Sequence, residues 1–540
     1  MNQDEQMTIR HDLLLGALIA ICTAPLACEA GGGTETAGSD SDSDGDADTD
    51  TDTDTDTDSD ADTDTDGDTE TEYTGPVIPE TCEQAEEATT TVGCLFYAID
   101  LDSHDLVETQ QYAVAVSNVN QEDDATVTVY KGNSSTSDWD VQATQVVAPM
   151  SLYTFNLPDY HMSGSGMMIK GTYKVVSDIP IIAYQFNPVD GASSYLSDAT
   201  LLIPVPSLSL TYDVVGWKQS CSSMCDGDMR AYFTVVATAD GTELLVTPSA
   251  APLAGGVVPG TATPFNVTLN EGDLLEVETN AAYATMTGSR IEANEDHPIA
   301  VFSGQECAFI PFEVYACDHL EEQLAGVRFW GDTFIASRMP VRSTDGTAEN
   351  VLWQIYASED GTEVSLAANA GVSGLPSSPS YLDAGEMLEF YTWGPTTEPG
   401  DFVVEADKPI FLMQYMIGSE NPHAGSTGDP AMALMSPVQQ FLTRYVVLVP
   451  TTWVNDGLVI TRVAGSTVLL DDIEIADSEF HEIAESGYEV ARHLTPDGIH
   501  TLESENGTDG LGVIVVGWDL WDSYAYIGGM GMAAINPGVQ

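Results

Sequence analysis

From Pro76 to the end of the chain, short runs of β-branched and aromatic residues alternate with Gly, Pro, Asn and Asp. Little of this stretch has the spacing of an amphipathic helix. Apolar runs bounded by turn-forming residues are typical of β-strands. The pattern therefore predicts an all-β body over residues 76–540.

The strands recur as a strand–turn–strand module. In the clearest copy, one strand leads through the turn Asp240-Gly241-Thr242 to a second strand. Such self-similarity at long intervals is the mark of a repeat architecture. The strand pairs are Tyr112–Val116 with Ala125–Val129, Ala231–Ala237 with Leu244–Val246, Val351–Tyr356 with Val364–Leu366, and Gly457–Ile460 with Val468–Leu470.

A second module follows each copy of the first, and three of its copies contain Asp-x-Pro before an apolar run. We expect the Asp and Pro to form a turn and the apolar run to be a buried strand. The copies are Val175–Gln185, Ile291–Phe302, Val403–Tyr415 and, without the proline, Gly512–Trp518. Hairpin turns are predicted between the modules at Asn270–Asp273, Asp383–Glu386 and Glu485–Tyr488.

The spacing of the first module sets the size of the repeat. The turn glycines Gly241, Gly361 and Gly465 lie 120 and 104 residues apart. A unit of that length holds roughly six or seven strands, which suits a β-sandwich and exceeds a typical propeller blade. We expect about four tandem β-sandwich-like repeats, with a four-bladed propeller-like ring as the alternative.

The chain begins with an export signal, residues 1–28. The apolar run Leu13–Ile21 is shorter than the roughly 20 residues that span a bilayer and is followed by small residues. Met7–His11 fits the positive end of a signal peptide better than Met1 and the acidic residues after it, so translation from Met7 is an alternative. Pro25-Leu26-Ala27-Cys28 resembles a bacterial lipobox, which predicts lipidation of Cys28, with simple cleavage nearby as the alternative.

Residues 29–75 predict a disordered tether. They are almost only Gly, Ser, Thr, Ala, Asp and Glu, and every second position from Asp40 to Glu72 is acidic. Such a segment cannot bury enough apolar area to fold, and repulsion between its carboxylates extends it. Two stretches begin like calcium-binding loops but have Thr51 and Tyr73 where a Glu is required, so we expect only diffuse cation binding.

The net charge of the chain excludes some classes of binding partner. Asp and Glu number 86 against 14 Lys and Arg, giving a formal charge of -72. Such a chain repels phosphate backbones and anionic lipid headgroups. We therefore expect no nucleic-acid partner, and membrane attachment through the lipid anchor only.

Six cysteines follow the signal, and an even count in an exported protein predicts disulfides. They are Cys82, Cys94, Cys221, Cys225, Cys307 and Cys317. Pairing of sequence neighbours is the simplest of the 15 connectivities that six cysteines allow. A zinc site at Cys221 and Cys225 would need two further ligands, and no nearby pair supplies them.

No catalytic signature is complete. His481-Glu482 begins like a zinc-protease helix, but Glu485 stands where the second His is needed, and no nucleophile elbow or phosphate-binding loop is present. We assign no catalytic residue, cofactor or metal. The densest polar cluster, around Asp318 and His319, could hold a metal, although we favour a disulfide-closed loop in which both satisfy backbone groups.

Aromatic residues near the end of the chain could form a stacking platform for sugars, although strand aromatics are usually core. With the polar cluster they make up a candidate ligand surface. Its members are Asp318, His319, Trp453, Trp518, Trp521 and Tyr524.

Several phrases resemble the IgGFc-binding protein N-terminal domain family of bacterial surface proteins and an animal mucus protein. They are Tyr184–Pro188, Ser197–Pro204, Cys317–Gln323, Val449–Asp456 and Gly517–Tyr524. The resemblance implies extracellular binding or adhesion and brings no established catalytic residues. Immunoglobulin binding belongs to the animal member, and a tethered bacterial protein need not share it.

These features together predict a non-enzymatic cell-surface adhesion protein with an extracellular glycan or protein ligand. We expect an outer-membrane lipoprotein, or alternatively a secreted protein. A secreted hydrolase with an unrecognised site around His319, or a purely structural envelope protein, are the alternatives.

Overall fold

The computed structural model describes residues 78–189, 196–220, 229–312 and 314–536. Within these ranges the chain is almost entirely β, as the sequence predicts, with one short helix, α1 (Cys82–Glu87). No helix in the described part is long and apolar enough to cross a membrane. The predicted signal peptide, Cys28, the tether and the pair Cys221 and Cys225 lie outside the described residues.

The strands fall into four consecutive units. The first contains β1 (Gly93–Ala98), β2 (Tyr112–Asn118), β3 (Ala125–Asn133), β4 (Asp138–Val147), β5 (Leu152–Leu157), β6 (Gly166–Met168), β7 (Tyr173–Asn187) and β8 (Asp198–Leu201). The second contains β9 (Thr211–Asp213), β10 (Ala231–Ala237), β11 (Thr242–Thr247), β12 (Phe265–Leu269), β13 (Leu274–Glu278), β14 (Arg290–Ala293), β15 (Ile299–Ala308) and β16 (Asp318–Gln323).

The third unit contains β17 (Gly331–Ala336), β18 (Val351–Ala357), β19 (Thr362–Ala367), β20 (Ser380–Leu382), β21 (Met387–Thr392), β22 (Phe402–Tyr415) and β23 (Met432–Leu434). The fourth contains β24 (Arg444–Val449), β25 (Asn455–Val463), β26 (Val468–Leu470), β27 (Ile473–Glu474), β28 (His481–Glu482), β29 (Tyr488–Leu494), β30 (Gly498–Ser504), β31 (Gly512–Asp519) and β32 (Asp522–Ile527). Short 3-10 turns, Val205–Ser207, Val327–Phe329 and Val438–Gln440, lead from each of the first three units to the next.

The four units share one antiparallel topology. In the first, the long strand β7 lies in the order β4-β3-β7-β2-β5 and also pairs with β1 and β8. The third repeats this as β20-β19-β22-β18-β21, with β17 and β23 on β22. In the second and fourth units the long strand is broken into β14 and β15, and into β30 and β31, so each unit has two sheets. The predicted fourfold repeat is therefore confirmed.

The predicted Asp-x-Pro turn is wrong in two of its three copies. Only Asp296-His297-Pro298 separates two strands, whereas β7 and β22 run through their prolines without a break. Pairing of β7 with β3 ends at Ser177 and pairing with β2 begins at Ile181. Pro180 thus lies where the strand changes partners, and its missing N–H costs no ladder hydrogen bond.

The predicted turns lie together in pairs. The Gly241 N–H donates to the side chain of Asn270 at 3.3 Å, and the Gly361 N–H donates to Asp383 at 3.1 Å. Both glycines have a positive φ, a conformation that side chains disfavour. The two turn motifs recur together because each fixes the other.

The last strands of the four units meet at one centre. Strand β8 contacts β16 and β32, and β23 contacts the same two strands. The ends of the body close this ring, since Thr91 N–H donates to the Met530 carbonyl and Met532 N–H to that of Thr89. The described body thus combines four sandwich-sized units with a ring-like arrangement of their innermost strands.

One continuous hydrophobic core includes side chains from every unit. Tyr184, Phe302, Tyr415 and Tyr526 all belong to it. The rings of Tyr184 and Tyr526 lie 4.9 Å apart between centroids, joining the first unit to the last. The units are therefore parts of one folded body, because they share buried surface.

Two of the predicted disulfides are present in the described residues. Cys82 pairs with Cys94 at a Cα–Cα distance of 5.7 Å, and Cys307 pairs with Cys317 at 5.2 Å. The first fastens α1 to β1, and the second closes the loop between β15 and β16.

Candidate functional site

Four aspartates mark the centre of the ring, one from each unit. Asp198, Asp318 and Asp522 begin the innermost strands β8, β16 and β32, and Asp429 lies three residues before β23. All four are completely buried. Each lies at or just before the start of an innermost strand, so four carboxyl groups are brought toward one place.

Asp198 joins all four innermost strands. Its Oδ1 accepts the backbone N–H groups of Ala199 at 2.9 Å and Ala525 at 3.3 Å. Its Oδ2 accepts those of Glu321 at 3.2 Å and Met432 at 3.4 Å. Burial raises the pKa of Asp198 well above its usual range, and these amides act in the opposite direction.

The other aspartates connect the loops that lead into these strands. Asp318 accepts the Ser197 N–H at 2.7 Å and the Ser523 N–H at 3.2 Å. Asp522 accepts the Ser197 hydroxyl at 2.9 Å. The N–H of Asp429 donates to the Ser523 hydroxyl at 2.9 Å.

Three of these carboxyl groups repel one another in a dry environment. Burial, followed by repulsion from Asp522 and Asp429, raises the pKa of Asp318 well above its usual range. Burial also raises the pKa of Asp429 to about 7. One oxygen of Asp429 and one of Asp522 have no hydrogen-bond partner. The cluster can thus take up protons near neutral pH, where ordinary carboxyl groups have lost theirs.

His319 lies in this interior and is fully buried. Burial lowers its pKa to about 3, so the ring is neutral, and its Nε2 lies 3.7 Å from Glu321 Oε2. Neither ring nitrogen has a hydrogen-bond partner. In this position the ring does not reach a substrate in solvent, which gives no support to a hydrolase built on His319.

The predicted aromatic platform is assembled but is mostly interior. The rings of Trp453 and Tyr524 lie 4.5 Å apart, and both are buried, as is Trp518. Only Trp521 is partly exposed. The structure places these aromatics beside Asp318, since Ser523 bonds to that carboxylate. It does not expose them as one surface, and their role in ligand binding stays a prediction.

The loops that enter the innermost strands form a face above the aspartates, which we call the loop face. It comprises residues 309–312, 314–317, 416–431 and 519–521. Gly418 N–H donates to the Ile310 carbonyl at 2.8 Å, and Gly428 N–H donates to the Asp519 carbonyl at 2.6 Å. Backbone hydrogen bonds therefore tie the three loops together.

Exposed aromatic rings lie at the edge of this face. Tyr283 is 47% exposed and Tyr315 is 37% exposed. The ring of Phe312 contacts that of Tyr283 at 4.9 Å and that of Trp217 at 5.3 Å. The sequence analysis did not identify Tyr283, Phe312 or Tyr315. The several aromatic residues between Cys307 and Cys317 could have indicated a binding loop there.

Comparisons with known proteins give few matches. No curated protein matches the chain. The crystal structure of Salmonella alpha-2-macroglobulin reacted with methylamine aligns over 83% of this chain at 9% identity with a TM-score of 0.11. The chain spans only 40% of that protein, and so low a score carries no argument.

A family model gives the clear result. The model described as IgGFc binding protein matches residues 198–517, which is more than half of the chain. The match begins at Asp198 and takes in the innermost strands β8, β16 and β23 with most of the loop face. As the resemblance of the sequence phrases predicts, the chain belongs to the IgGFc binding protein family.

Proposed function

We propose that this chain is a non-enzymatic extracellular adhesion protein that binds a protein or glycan ligand through its loop face. Family membership supports extracellular binding, and the two disulfides fit an exported protein. Lipidation of Cys28 would hold the body at the cell surface, with residues 29–75 as its spacer.

The observation that carries the proposal is the aromatic edge of the loop face. Phe312 and Tyr315 lie on the segment that the Cys307–Cys317 disulfide closes, and the exposed ring of Tyr283 packs against Phe312. Rigid aromatic side chains are enriched at interfaces because they bury much area at a small entropic cost.

Binding of the whole exported protein to glycan and protein arrays tests the proposal. We expect the double variant Tyr283→Ala/Tyr315→Ala to lose about 30-fold or more in affinity for whatever the wild type binds. Tyr381→Ala is the matched control, because Tyr381 is 65% exposed on β20 and lies outside the loop face. Equal loss in the control, or full binding by the double variant, would refute the assignment of this face.

The anchor is tested separately in the producing cells. Cys28→Ser removes the sulfur that would take the lipid. We expect the variant to move from the membrane fraction to the soluble fraction, with its array binding unchanged. Wild-type protein that is already soluble would contradict the anchor without touching the binding face.

A further inference from the structure

A second group of buried acids lies where the first unit meets the second. Glu276 and Glu278 are two residues apart on β13, so their side chains point to the same face of the sheet. Asp102 comes from the segment after β1. One oxygen from each of the three carboxylates lies within 4.8 Å of the other two.

Two oxygens of this buried group lack the partners that buried acids need. Asp102 is 4% exposed, and Glu276 and Glu278 are each 1% exposed. The Oε1 atoms of both glutamates have no hydrogen-bond partner. Arg230 contributes one positive charge, with its Nε 3.3 Å from Glu278 Oε2, which compensates at most one of the three. Leaving buried carboxylate oxygens without partners is costly.

We propose that Asp102, Glu276 and Glu278 bind a calcium ion. Ca²⁺ takes six to eight oxygen ligands at about 2.3–2.6 Å, so two oxygens on one ion can be up to roughly 5 Å apart. The three carboxylate oxygens meet this limit. The neighbouring Ser103 hydroxyl, also buried without a partner, is a further oxygen in the same segment.

The donor set favours Ca²⁺ over other divalent ions. Zn²⁺ prefers nitrogen and sulfur ligands, and Mg²⁺ keeps several water molecules in strict octahedral geometry. A buried set of carboxylates suits Ca²⁺, which accepts irregular geometry and many protein oxygens.

The ion would join two units. The Tyr232 hydroxyl, on β10, donates to the backbone carbonyl of Asp102 at 2.6 Å, which places the segment after β1 against the second unit. A cation between Asp102 and β13 adds a second fastening at the same junction. Calcium is thus a structural ligand that stabilises the body, and it does not depend on the function proposed for the loop face.

Thermal unfolding of the whole exported protein tests the site. After removal of cations with EDTA, we expect 1 mM CaCl₂ at pH 7.5 to raise Tm by about 2 °C or more, and MgCl₂ to have a smaller effect. The acidic tether also attracts cations, so the decisive comparison is with Glu276→Gln/Glu278→Gln, which keeps the tether. The double variant should lose the calcium-specific rise. Glu243→Gln, which changes an exposed acid on β11 in the other sheet of the same unit, should keep it.

Terbium binding gives a second readout that a weakened fold does not imitate. Tb³⁺ replaces Ca²⁺, and Tyr232 is close enough to Asp102 to sensitise its luminescence. We expect CaCl₂ to quench this emission in the wild type, and the single variant Glu276→Gln to lower its Tb³⁺ affinity at least 10-fold. Equal calcium shifts in the wild type and the double variant would overturn the site. The site would also be overturned if calcium did not raise the Tm of the wild type and the double variant were more stable than the wild type at pH 7.5.

Discussion

The hydroxyl of Ser197 donates a hydrogen bond to Asp522 at 2.9 Å, across 325 residues of chain. It connects the start of the innermost strand of the first unit to that of the last. The aspartates at the centre therefore close the ring with directed polar contacts, in addition to the shared hydrophobic core. An Asp→Asn substitution at each of these positions changes one carboxylate oxygen to an NH₂ group, and its effect on the stability of the whole body can be measured.

Asp198→Asn should destabilise the body strongly. Asn keeps one acceptor oxygen but replaces the other with an NH₂ group, which would face N–H donors from neighbouring strands. We expect a loss of at least ~3 kcal/mol in the free energy of unfolding, because several buried donors lose their acceptor. Urea denaturation measures it. Asp472→Asn, at an exposed turn, is the control, and a loss of the same size there would contradict the central role of Asp198.

Asp429→Asn should flatten the dependence of stability on pH. The folded pKa of Asp429, about 7, is above its value of about 3.9 in the unfolded chain. Its stabilising contribution is therefore complete below pH 4 and is lost as the pH rises through 7.

Between pH 5.5 and 8.5, with EDTA present, we expect the variant to lose less stability than the wild type, by about 1–3 kcal/mol. Urea denaturation at each pH gives the slope. Parallel slopes for the two proteins would show that Asp429 does not hold its proton in the folded state.

The stability that Glu271 contributes should depend on pH in the opposite direction to that of Asp429. This residue, in a turn of the second unit, accepts hydrogen bonds from Lys174 at 2.9 Å, Trp139 at 3.1 Å and Tyr97 at 2.8 Å of the first unit. Burial by itself would raise the pKa of Glu271, but these hydrogen bonds lower it to about 2. Its contribution is present above the unfolded pKa and is lost as the pH falls from about 4.3 toward 2.

We therefore expect Glu271→Gln to cost about 1–3 kcal/mol at pH 7 and almost nothing at pH 2. Glu295→Gln, at an exposed position of the same unit, should cost little at either pH. A cost for Glu271→Gln that stays constant down to pH 2 would show that shape, and not charge, holds this contact.

The two disulfides should contribute about equally to the stability of the body, but only one of them should be needed for ligand binding. They close loops with sequence separations of 10 and 12, so each pair of Cys→Ala substitutions should cost about 2–4 kcal/mol. Only the Cys307→Ala/Cys317→Ala protein should also lose ligand binding, since that disulfide closes a loop of the loop face. Thermal unfolding and array binding measure the two effects, and lost binding in the Cys82→Ala/Cys94→Ala protein would contradict the difference.

Much of the fold could be predicted because its signals are local. Turn glycines such as Gly241 and Gly361 and the apolar runs around them defined the repeat. The prediction of turns at the prolines failed because a strand tolerates a proline, such as Pro180, at the point where it changes pairing partners. The sequence alone does not show which strands pair.

The centre of the site could not be predicted as a unit. Asp198, Asp318, Asp429 and Asp522 each follow a different residue, and their contacts join positions hundreds of residues apart. Their complete burial depends on how the ring closes. The same closure buries His319 and three of the four aromatic residues of the predicted surface, Trp453, Trp518 and Tyr524.

The Cys82–Cys94 disulfide has a mechanical consequence for a body that is pulled from its N-terminal side. Thr89 and Thr91, which close the ring by bonding to Met530 and Met532, lie inside the covalent loop that this disulfide makes. Tension arriving at Cys82 passes through the sulfur atoms to Cys94 and into β1. The closing contacts are thereby bypassed by the load, and reduction of one bond would transfer the full force onto them.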